Sequence, residues 1–153
     1  MVAEAVAIRE CEERDLDHFE RMWAPRHADY CREQFARGSV ALTILVAVDE
    51  KDAPTRKAHL DFQAREDAAV LIAALVAPEL RGRGMGTELM RAAERFVCDR
   101  GLHAIVLGVE DSNPRARRLY ERLGYEVIGA DNFPYLGAPD SNPGVWMRKE
   151  LEC

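Results

Sequence analysis

The residues with the clearest chemical meaning form a segment near the middle of the chain that is rich in glycine and arginine. It contains Arg81 and Arg83 together with three glycines at alternate positions, Gly82, Gly84 and Gly86. Glycine has no Cβ, so the backbone N–H groups of such a turn can converge on one anion. An apolar run leads into the segment and an amphipathic stretch follows it, which predicts a strand, a turn and a helix whose N-terminus also attracts anions. The segment therefore predicts a site for a phosphate or pyrophosphate group.

The spacing around the last glycine separates the known classes of phosphate site. A P-loop needs a Lys-Ser or Lys-Thr pair after that glycine, whereas Gly86 is followed by Thr87 and Glu88. The dinucleotide fingerprint G-x-G-x-x-G needs a glycine where Thr87 stands. One feature does match the dinucleotide class: Glu110 ends a later apolar strand, where the acid that binds the ribose would stand. Neither class fits the spacing.

A second motif lies at positions 113–125 and reads N-x-x-A-x-x-L-Y-x-x-x-G-Y. With V-x-P-x-x-R-G-x-G-x-G at 76–86, it resembles the GNAT family of N-acetyltransferases, which bind acetyl-CoA. The two motifs occur in order and are separated by a predicted helix and strand. The resemblance is close over residues 69–130. In the rest of the chain only the order of the predicted strands and helices resembles the family. It implies an N-acetyltransferase with acetyl-CoA as acyl donor and no metal.

The resemblance also assigns a role to individual residues of both motifs. In the family the strand before the glycine turn parts from its neighbour, so a backbone N–H near its end would polarise the thioester carbonyl. Tyr120 would be the general acid that protonates the departing thiolate, because a phenol with a pKa near ~10 stays protonated at neutral pH. The alternative to a catalytic role is that Tyr120 only packs in the core. The alternative to a cofactor contact is that Asn113 only caps its helix. The residues expected to contact acetyl-CoA are Leu75, Val76, Arg81, Gly82, Arg83, Gly84, Met85, Gly86, Thr87, Asn113, Arg115, Ala116 and Tyr120.

The general base that removes the proton from the amine is not identified by the motifs. Some family members carry a glutamate five residues before the asparagine of the second motif, and that position is Gly108 here. The candidates that remain are Glu110, Asp111, His59 and Asp61, of which the last two are expected on one face of a strand with Gln63. A chain of water molecules without a single base is equally compatible with the sequence.

The acceptor is expected to contact the variable parts of the fold, which are the two early helices and a loop at 130–144. Candidate contacts are Trp23, His27, Tyr30, Phe133, Tyr135 and Asp140. Aromatic and acidic side chains suit a cationic or aromatic amine, so we expect a primary amine of a small molecule. The alternatives are a protein acetyltransferase acting on an N-terminus or a lysine, and a non-catalytic module that binds acyl-CoA.

The composition bounds the class of protein. We expect one domain over residues 1–153, and the content of 48% apolar and 31% charged residues is that of an ordinary globular protein. The net charge of −6 argues against nucleic-acid binding. Neither a bilayer-spanning apolar run nor a signal-peptide pattern is seen, so no membrane partner is expected. Four cysteines without metal-binding spacing (Cys11, Cys31, Cys98, Cys153) are interpreted as free thiols in the cytoplasm, with Cys98 on a helix and in the protein core.

The apolar periodicity predicts strands and helices in the order β-α-α-β-β-β-α-β-α-β-β. This order predicts an α/β fold with a mixed sheet, and the resemblance implies a GNAT-type, mostly antiparallel sheet of about seven strands with four flanking helices. Family members are often dimers, so the resemblance also implies a homodimer. The predicted strands are 5–10, 40–48, 57–63, 69–76, 103–109, 125–129 and 145–151, and the four predicted helices begin near 15, 27, 88 and 113.

The glycine turn makes a testable prediction about ligands. A ligand present at a hundred times its Kd adds about 2.7 kcal/mol to the free energy of unfolding, and a domain of this size then gains about 5–11 °C in Tm. We expect this rise with acetyl-CoA and with CoA, but not with NAD or ATP, in parallel thermal-shift titrations. A folded sample that responds to neither acetyl-CoA nor CoA would contradict the cofactor assignment.

Overall fold

The computed structural model describes residues 7–22, 32–33, 42–76, 85–132 and 142–153. These residues form a seven-stranded sheet, as the sequence predicted, and three helices. The predicted helix at 27–36 lies outside the described residues except for positions 32–33, which are helical. The elements are β1 (Ala7–Glu10), α1 (Asp15–Met22), β2 (Leu42–Val48), β3 (Pro54–Asp61), β4 (Ala69–Val76), α2 (Met85–Asp99), β5 (Ala104–Glu110), α3 (Pro114–Arg122), β6 (Glu126–Asn132) and β7 (Pro143–Glu150).

The sheet has the strand order β1-β2-β3-β4-β5-β7-β6. Every neighbouring pair is antiparallel except β4 and β5, which are parallel. A parallel pair needs a crossover connection, and α2 supplies it between these two strands. The expectation of a mixed, mostly antiparallel sheet is therefore confirmed. None of the helices in the described part of the chain is long and apolar enough to cross a bilayer.

The two faces of the sheet are covered by different helices. On one face, α2 and α3 pack on the larger core, in which Leu89 and Met90 join Leu60, Leu71 and Leu107. On the other face, α1 packs on β2 through a smaller cluster that consists of Leu16, Phe19, Ile44, Val46 and Val48. Alternation along β2 explains this division, because successive side chains of a strand point to opposite faces.

Several predicted boundaries were wrong, and local hydrogen bonds explain why. β3 begins at Pro54 rather than 57, and it ends at Asp61 because that carboxylate accepts the N–H groups of Gln63 and Ala64 at 2.8 and 3.0 Å. Such an Asx turn stops the strand, so Gln63 does not share a strand face with His59. The predicted loop at 130–144 is shorter, because β6 and β7 pair with each other as far as Asn132 and Pro143.

The interpretation of the cysteines was wrong for two of the four. Cys98 and Cys153 form a disulfide with a Cα–Cα distance of 5.6 Å. The last part of α2 presents Cys98 half-buried at the surface rather than in the core, and the segment after β7 runs beside it, with Leu151 N–H donating to the His103 carbonyl at 2.7 Å. Cys11 is not part of a disulfide, and Cys31 lies outside the described residues.

A partly buried ion pair joins β1 to the first turn of α1. Asp15 is 1% exposed, and its carboxylate accepts two hydrogen bonds from the Arg9 guanidinium, at 2.7 and 2.9 Å, and one from the Glu12 N–H at 2.7 Å. Burial alone would raise the pKa of Asp15, but the hydrogen bonds from Arg9 and Glu12 outweigh it and lower the pKa. Asp15 therefore stabilises the fold as long as it is ionised.

We predict that Asp15→Asn lowers the free energy of unfolding by about 1–3 kcal/mol at neutral pH, because a charged acceptor is lost while Arg9 remains. The contribution of Asp15 is present above the pKa of the unfolded carboxyl and disappears as the pH falls through its lower folded pKa. The difference between wild type and variant should therefore shrink below about pH 4 in urea titrations. Asp17→Asn is the matched control, because Asp17 lies on the same helix with its side chain 70% exposed. Equal losses in the two variants would contradict the prediction.

Candidate functional site

A gap between two central strands is the main geometric feature of the site. β4 and β5 pair only as far as Leu71 and Leu107, although β4 continues to Val76 and β5 to Glu110. The other edge of β4 stays paired with β3 up to Arg56 and Val76. Among the described strands, none pairs with this second backbone edge of positions 72–76. Its N–H and C=O groups can receive an extended ligand as if it were an added strand.

A β-bulge lies where the gap begins. His59 of β3 pairs with Ala73 and the next residue, Leu60, pairs with Leu71, so Ile72 is an extra residue in β4. A bulge bends its strand and increases the local twist. Since pairing with β5 ends at Leu71, the bulge gives a local reason for the separation of the two strands. Ile72 is also 44% exposed, which is unusual for a central strand.

The helix that follows the glycine turn begins beyond the open end of β4. α2 starts at Met85, so Gly86 and Thr87 lie in its first turn, both half-buried. The first N–H groups of a helix have no partner within the helix and favour an anion. Leu75 and Val76 are the last residues of β4. Of the predicted turn, Arg81, Gly82, Arg83 and Gly84 lie outside the described residues, so their contacts remain a prediction.

Gly86 has a packing role that the sequence did not separate from cofactor binding. A Cβ at this position would lie 3.0 Å from Cδ2 of Leu119 on α3. The absence of a side chain at Gly86 therefore lets α2 approach α3 closely. This contact joins the end of the first motif, which lies in α2, to the second motif on α3.

The second motif forms α3 as predicted. The Asn113 side chain accepts from the Ala116 N–H at 3.2 Å and caps the helix, while Pro114 occupies the first turn, where its missing N–H costs nothing. Gly124 follows the helix with a φ of +98°, a conformation that favours glycine. Of the other predicted contacts on this helix, Arg115 is exposed and Ala116 is half-buried.

Tyr120 is buried in the larger core and is 8% exposed. Within the described part of the chain, its hydroxyl has no hydrogen-bond partner. Burial raises the pKa of the Tyr120 phenol, so the group is protonated at neutral pH and can donate a proton. Packing and proton donation are compatible roles for this side chain, and the packing role is the one that the geometry displays.

The candidate bases differ in their position relative to the gap. Asp61 pairs with Val70, in the closed part of the sheet, and its carboxylate caps a turn. Glu110 ends β5 beside the gap, is half-buried and accepts from the Ser112 hydroxyl at 3.2 Å. Asp111 is exposed and follows the strand. His59 is fully buried in register with the open part of β4, and its Nε2 lies 3.0 Å from Nζ of Lys57. Glu110 and His59 are therefore the better placed.

Two buried basic residues on β3 were not singled out from the sequence. Arg56 and Lys57 are both fully buried, on opposite faces of the sheet. Arg56 Nη1 lies 3.2 Å from a carboxylate oxygen of Glu88 in the first turn of α2. Lys57 Nζ lies 4.8 Å from the centre of the Phe19 ring. The available signal was a pair of adjacent cations at the start of the strand predicted over 57–63. Burial of such a pair would require a partner for each charge.

The six residues proposed to contact the acceptor lie outside the described residues. They are Trp23, His27, Tyr30, Phe133, Tyr135 and Asp140. Among the residues that are described, no group of three or more histidine, cysteine or acidic side chains could hold a metal ion.

Comparison with known proteins gives a family match and several similar folds. The model of the acetyltransferase (GNAT) family matches residues 6–125. A solved structure of spermidine N-acetyltransferase from Vibrio cholerae, in complex with CoA and spermine, has a TM-score of 0.80 at 20% identity and covers 95% of each chain. A structure of nourseothricin acetyltransferase has a TM-score of 0.64 at 24% identity, over 74% of this chain and 67% of that one. At these identities the likeness shows the fold alone.

Curated relatives match over shorter segments. Mycothiol acetyltransferase from Rhodococcus opacus is 41% identical over 56 residues, which are 37% of this chain and 18% of that protein. Streptothricin acetyltransferase from Streptomyces lavendulae is 40% identical over 73 residues, which are 47% of this chain and 39% of that protein. The chain therefore matches well under half the length of these relatives.

The contact at Gly86 predicts a coupling between the two helices. Gly86→Ala should lower the free energy of unfolding by about 1–2 kcal/mol, because the new methyl group overpacks against Leu119. In a Leu119→Ala background the same substitution should be neutral, or stabilising by up to about 1 kcal/mol, since alanine is the better helix former. Urea titration of the four proteins checks this.

The control for this cycle is Gly129→Ala, because a Cβ at Gly129 meets no heavy atom within 4 Å. Its effect on the free energy of unfolding should be the same in the wild-type protein and in the Leu119→Ala background. If Gly86→Ala has an equal effect in both backgrounds, Gly86 does not serve helix packing.

Proposed function

Because the chain belongs to the GNAT acetyltransferase family, we propose that it is an acetyl-CoA-dependent N-acetyltransferase, formed by one domain over residues 1–153. Its acceptor is the primary amine of a small molecule. The observation that carries the proposal is the open edge of β4, which faces the gap to β5 and ends just before the glycine turn. A ligand with an extended arm and a phosphate group fits such a combination.

Each part of acetyl-CoA has a proposed set of contacts. The pyrophosphate binds the turn from Arg81 to Gly86 and the first N–H groups of α2, including that of Thr87. The pantetheine arm follows positions 72–76, whose backbone groups replace the missing strand pairing. On α3, the contacts come from Asn113, Arg115 and Ala116. Arg56 adds a buried positive charge beside the first turn of α2, where it is paired with Glu88.

The proposed reaction is a direct attack of the neutral amine on the thioester carbon. The new N–C bond forms and the C–S bond breaks, without a covalent intermediate on the protein. A backbone N–H near Leu75 and Val76 stabilises the negative charge that develops on the carbonyl oxygen. Tyr120 gives its proton to the departing thiolate. The proton lost by the amine goes to Glu110, to His59 or to water, and the geometry favours no single one of them.

The comparisons support a small-molecule acceptor over a protein. The similar proteins are named for spermidine, mycothiol, streptothricin and nourseothricin, and none of these is a polypeptide substrate. The likeness in fold spans nearly the whole chain for the spermidine enzyme but is low in identity, and the curated matches are short. They therefore support the class of acceptor rather than a particular compound.

The test is turnover of a panel of small amines, including spermidine and streptothricin, with lysine peptides for comparison. We predict release of free CoA with at least one small amine. In Tyr120→Phe we predict a loss of about a hundredfold or more in kcat, with the Kd for acetyl-CoA unchanged. Since burial raises the pKa of Tyr120, the phenol should not ionise below about pH 10 and should add no alkaline limb to the profile under that pH.

Glu121→Gln is the control for Tyr120→Phe, because Glu121 lies on the exposed face of the same helix and pairs with Arg117. Its kcat should equal that of wild type. Unchanged turnover in Tyr120→Phe would remove Tyr120 from the mechanism. Binding of acetyl-CoA with no turnover of any amine or peptide would identify a module that binds acyl-CoA without catalysis.

A further inference from the structure

The orientation of the Tyr120 phenol depends on packing. Its hydroxyl has no hydrogen-bond partner in the part of the chain that the structure describes, so no polar contact there fixes the ring. Its ring does contact Tyr125, edge to face, with centroids 5.9 Å apart and an interplanar angle of 63°. The Tyr125 N–H also donates to the Tyr120 carbonyl at 3.0 Å. Whatever holds Tyr125 therefore also restrains Tyr120.

Tyr125 is held by an acid and a base that come from two other elements. Tyr125 is 2% exposed, and its hydroxyl donates to a carboxylate oxygen of Glu94 on α2 at 3.3 Å. Lys149 of β7 donates to both oxygens of the same carboxylate, at 2.8 and 3.1 Å. Its Nζ also lies 5.7 Å from the centre of the Tyr125 ring. We call Tyr125, Glu94 and Lys149 the anchor triad.

The contacts of the anchor triad are shielded from solvent and restrain its side chains. The side chains of Glu94 and Lys149 are only 14% and 25% exposed, so their ion pair is less screened by solvent than an ordinary surface pair. Burial, followed by the charge of Glu94, raises the pKa of Tyr125 far above its usual value. The Tyr125 hydroxyl is therefore protonated at neutral pH and donates to Glu94. The triad joins α2, the start of β6 and β7 at one point.

A proton donor is effective only when it is held in line with the atom that receives the proton. A misplacement of about 1 Å can reduce the rate by about a hundredfold. We propose that Tyr125, Glu94 and Lys149 are positioning residues that hold the Tyr120 phenol in the orientation needed for proton transfer. This inference rests on the proposed role of Tyr120 as general acid. The triad itself does not touch the reacting atoms.

A double-mutant cycle on kcat tests the inference. Tyr125→Phe keeps the ring and the ion pair but removes the hydroxyl, and it should lower kcat about tenfold with an unchanged KM for acetyl-CoA. In the Tyr120→Phe background the same substitution should lower kcat no further, because the triad acts only through Tyr120. A tenfold loss in both backgrounds would overturn the proposal, and so would an unchanged kcat when Tyr125→Phe is made in the otherwise wild-type protein. Lys149→Met should behave like Tyr125→Phe.

A second measurement does not need activity. Tyrosine rings labelled with ¹³C report by NMR how fast the Tyr120 ring flips, and Tyr120→Phe assigns its signal. We expect faster flipping in Tyr125→Phe and Lys149→Met, but not in the control Glu121→Gln, with every variant folded by circular dichroism. Unchanged flipping would contradict the positioning role even in an active enzyme. Faster flipping in a protein that turns over no amine would support the triad and leave the proposed function as the part that failed.

Discussion

The separation of β4 from β5 is the constraint on which the rest of the site depends. A strand in the middle of a sheet normally pairs on both edges, because unpaired backbone groups that are also buried are costly. Here β4 keeps its partner β3 as far as Val76 but loses β5 after Leu71. The extra residue Ile72 sits at that point. An interruption that would weaken an ordinary sheet thus creates a line of backbone donors and acceptors for a ligand.

The parallel pairing of the same two strands determines where the helices lie. Because β4 and β5 run in the same direction, the chain must cross back over the sheet between them, and α2 makes that crossing. Its N-terminus consequently lies beyond the open end of β4. α3 then packs on α2, with Gly86 close to Leu119. The end of the first motif and the second motif therefore lie on two helices in contact, and Gly86 and Leu119 take part in their packing.

The parts of the fold that follow from local chemistry could be predicted from the sequence. The apolar run Ala69–Val76 was predicted with its observed bounds. Asn113 and Pro114 predicted the start of α3, since a cap and a first-turn proline act within a few residues. The order of elements and the mixed sheet also followed, with the family resemblance supporting the same architecture.

The parts that depend on contacts between distant residues could not be predicted. Cys98 and Cys153 are 55 residues apart, and no local pattern indicates that they meet. The ends of β6 and β7 are set by pairing with each other rather than by their composition. The bulge at Ile72 arises from register across two strands, and an apolar run gives no sign of it. The contacts of the glycine turn remain a prediction from its spacing.

The position of β7 has a consequence for the order in which the molecule is completed. β7 comes later in the chain than every other described strand, yet it lies between β5 and β6. While a ribosome is still synthesising β7, β5 and β6 have no common neighbour, and each presents an edge that other chains could pair with. Lys149 also belongs to this late strand. The sheet and the surroundings of Tyr125 can therefore be finished only once β7 has emerged from the ribosome.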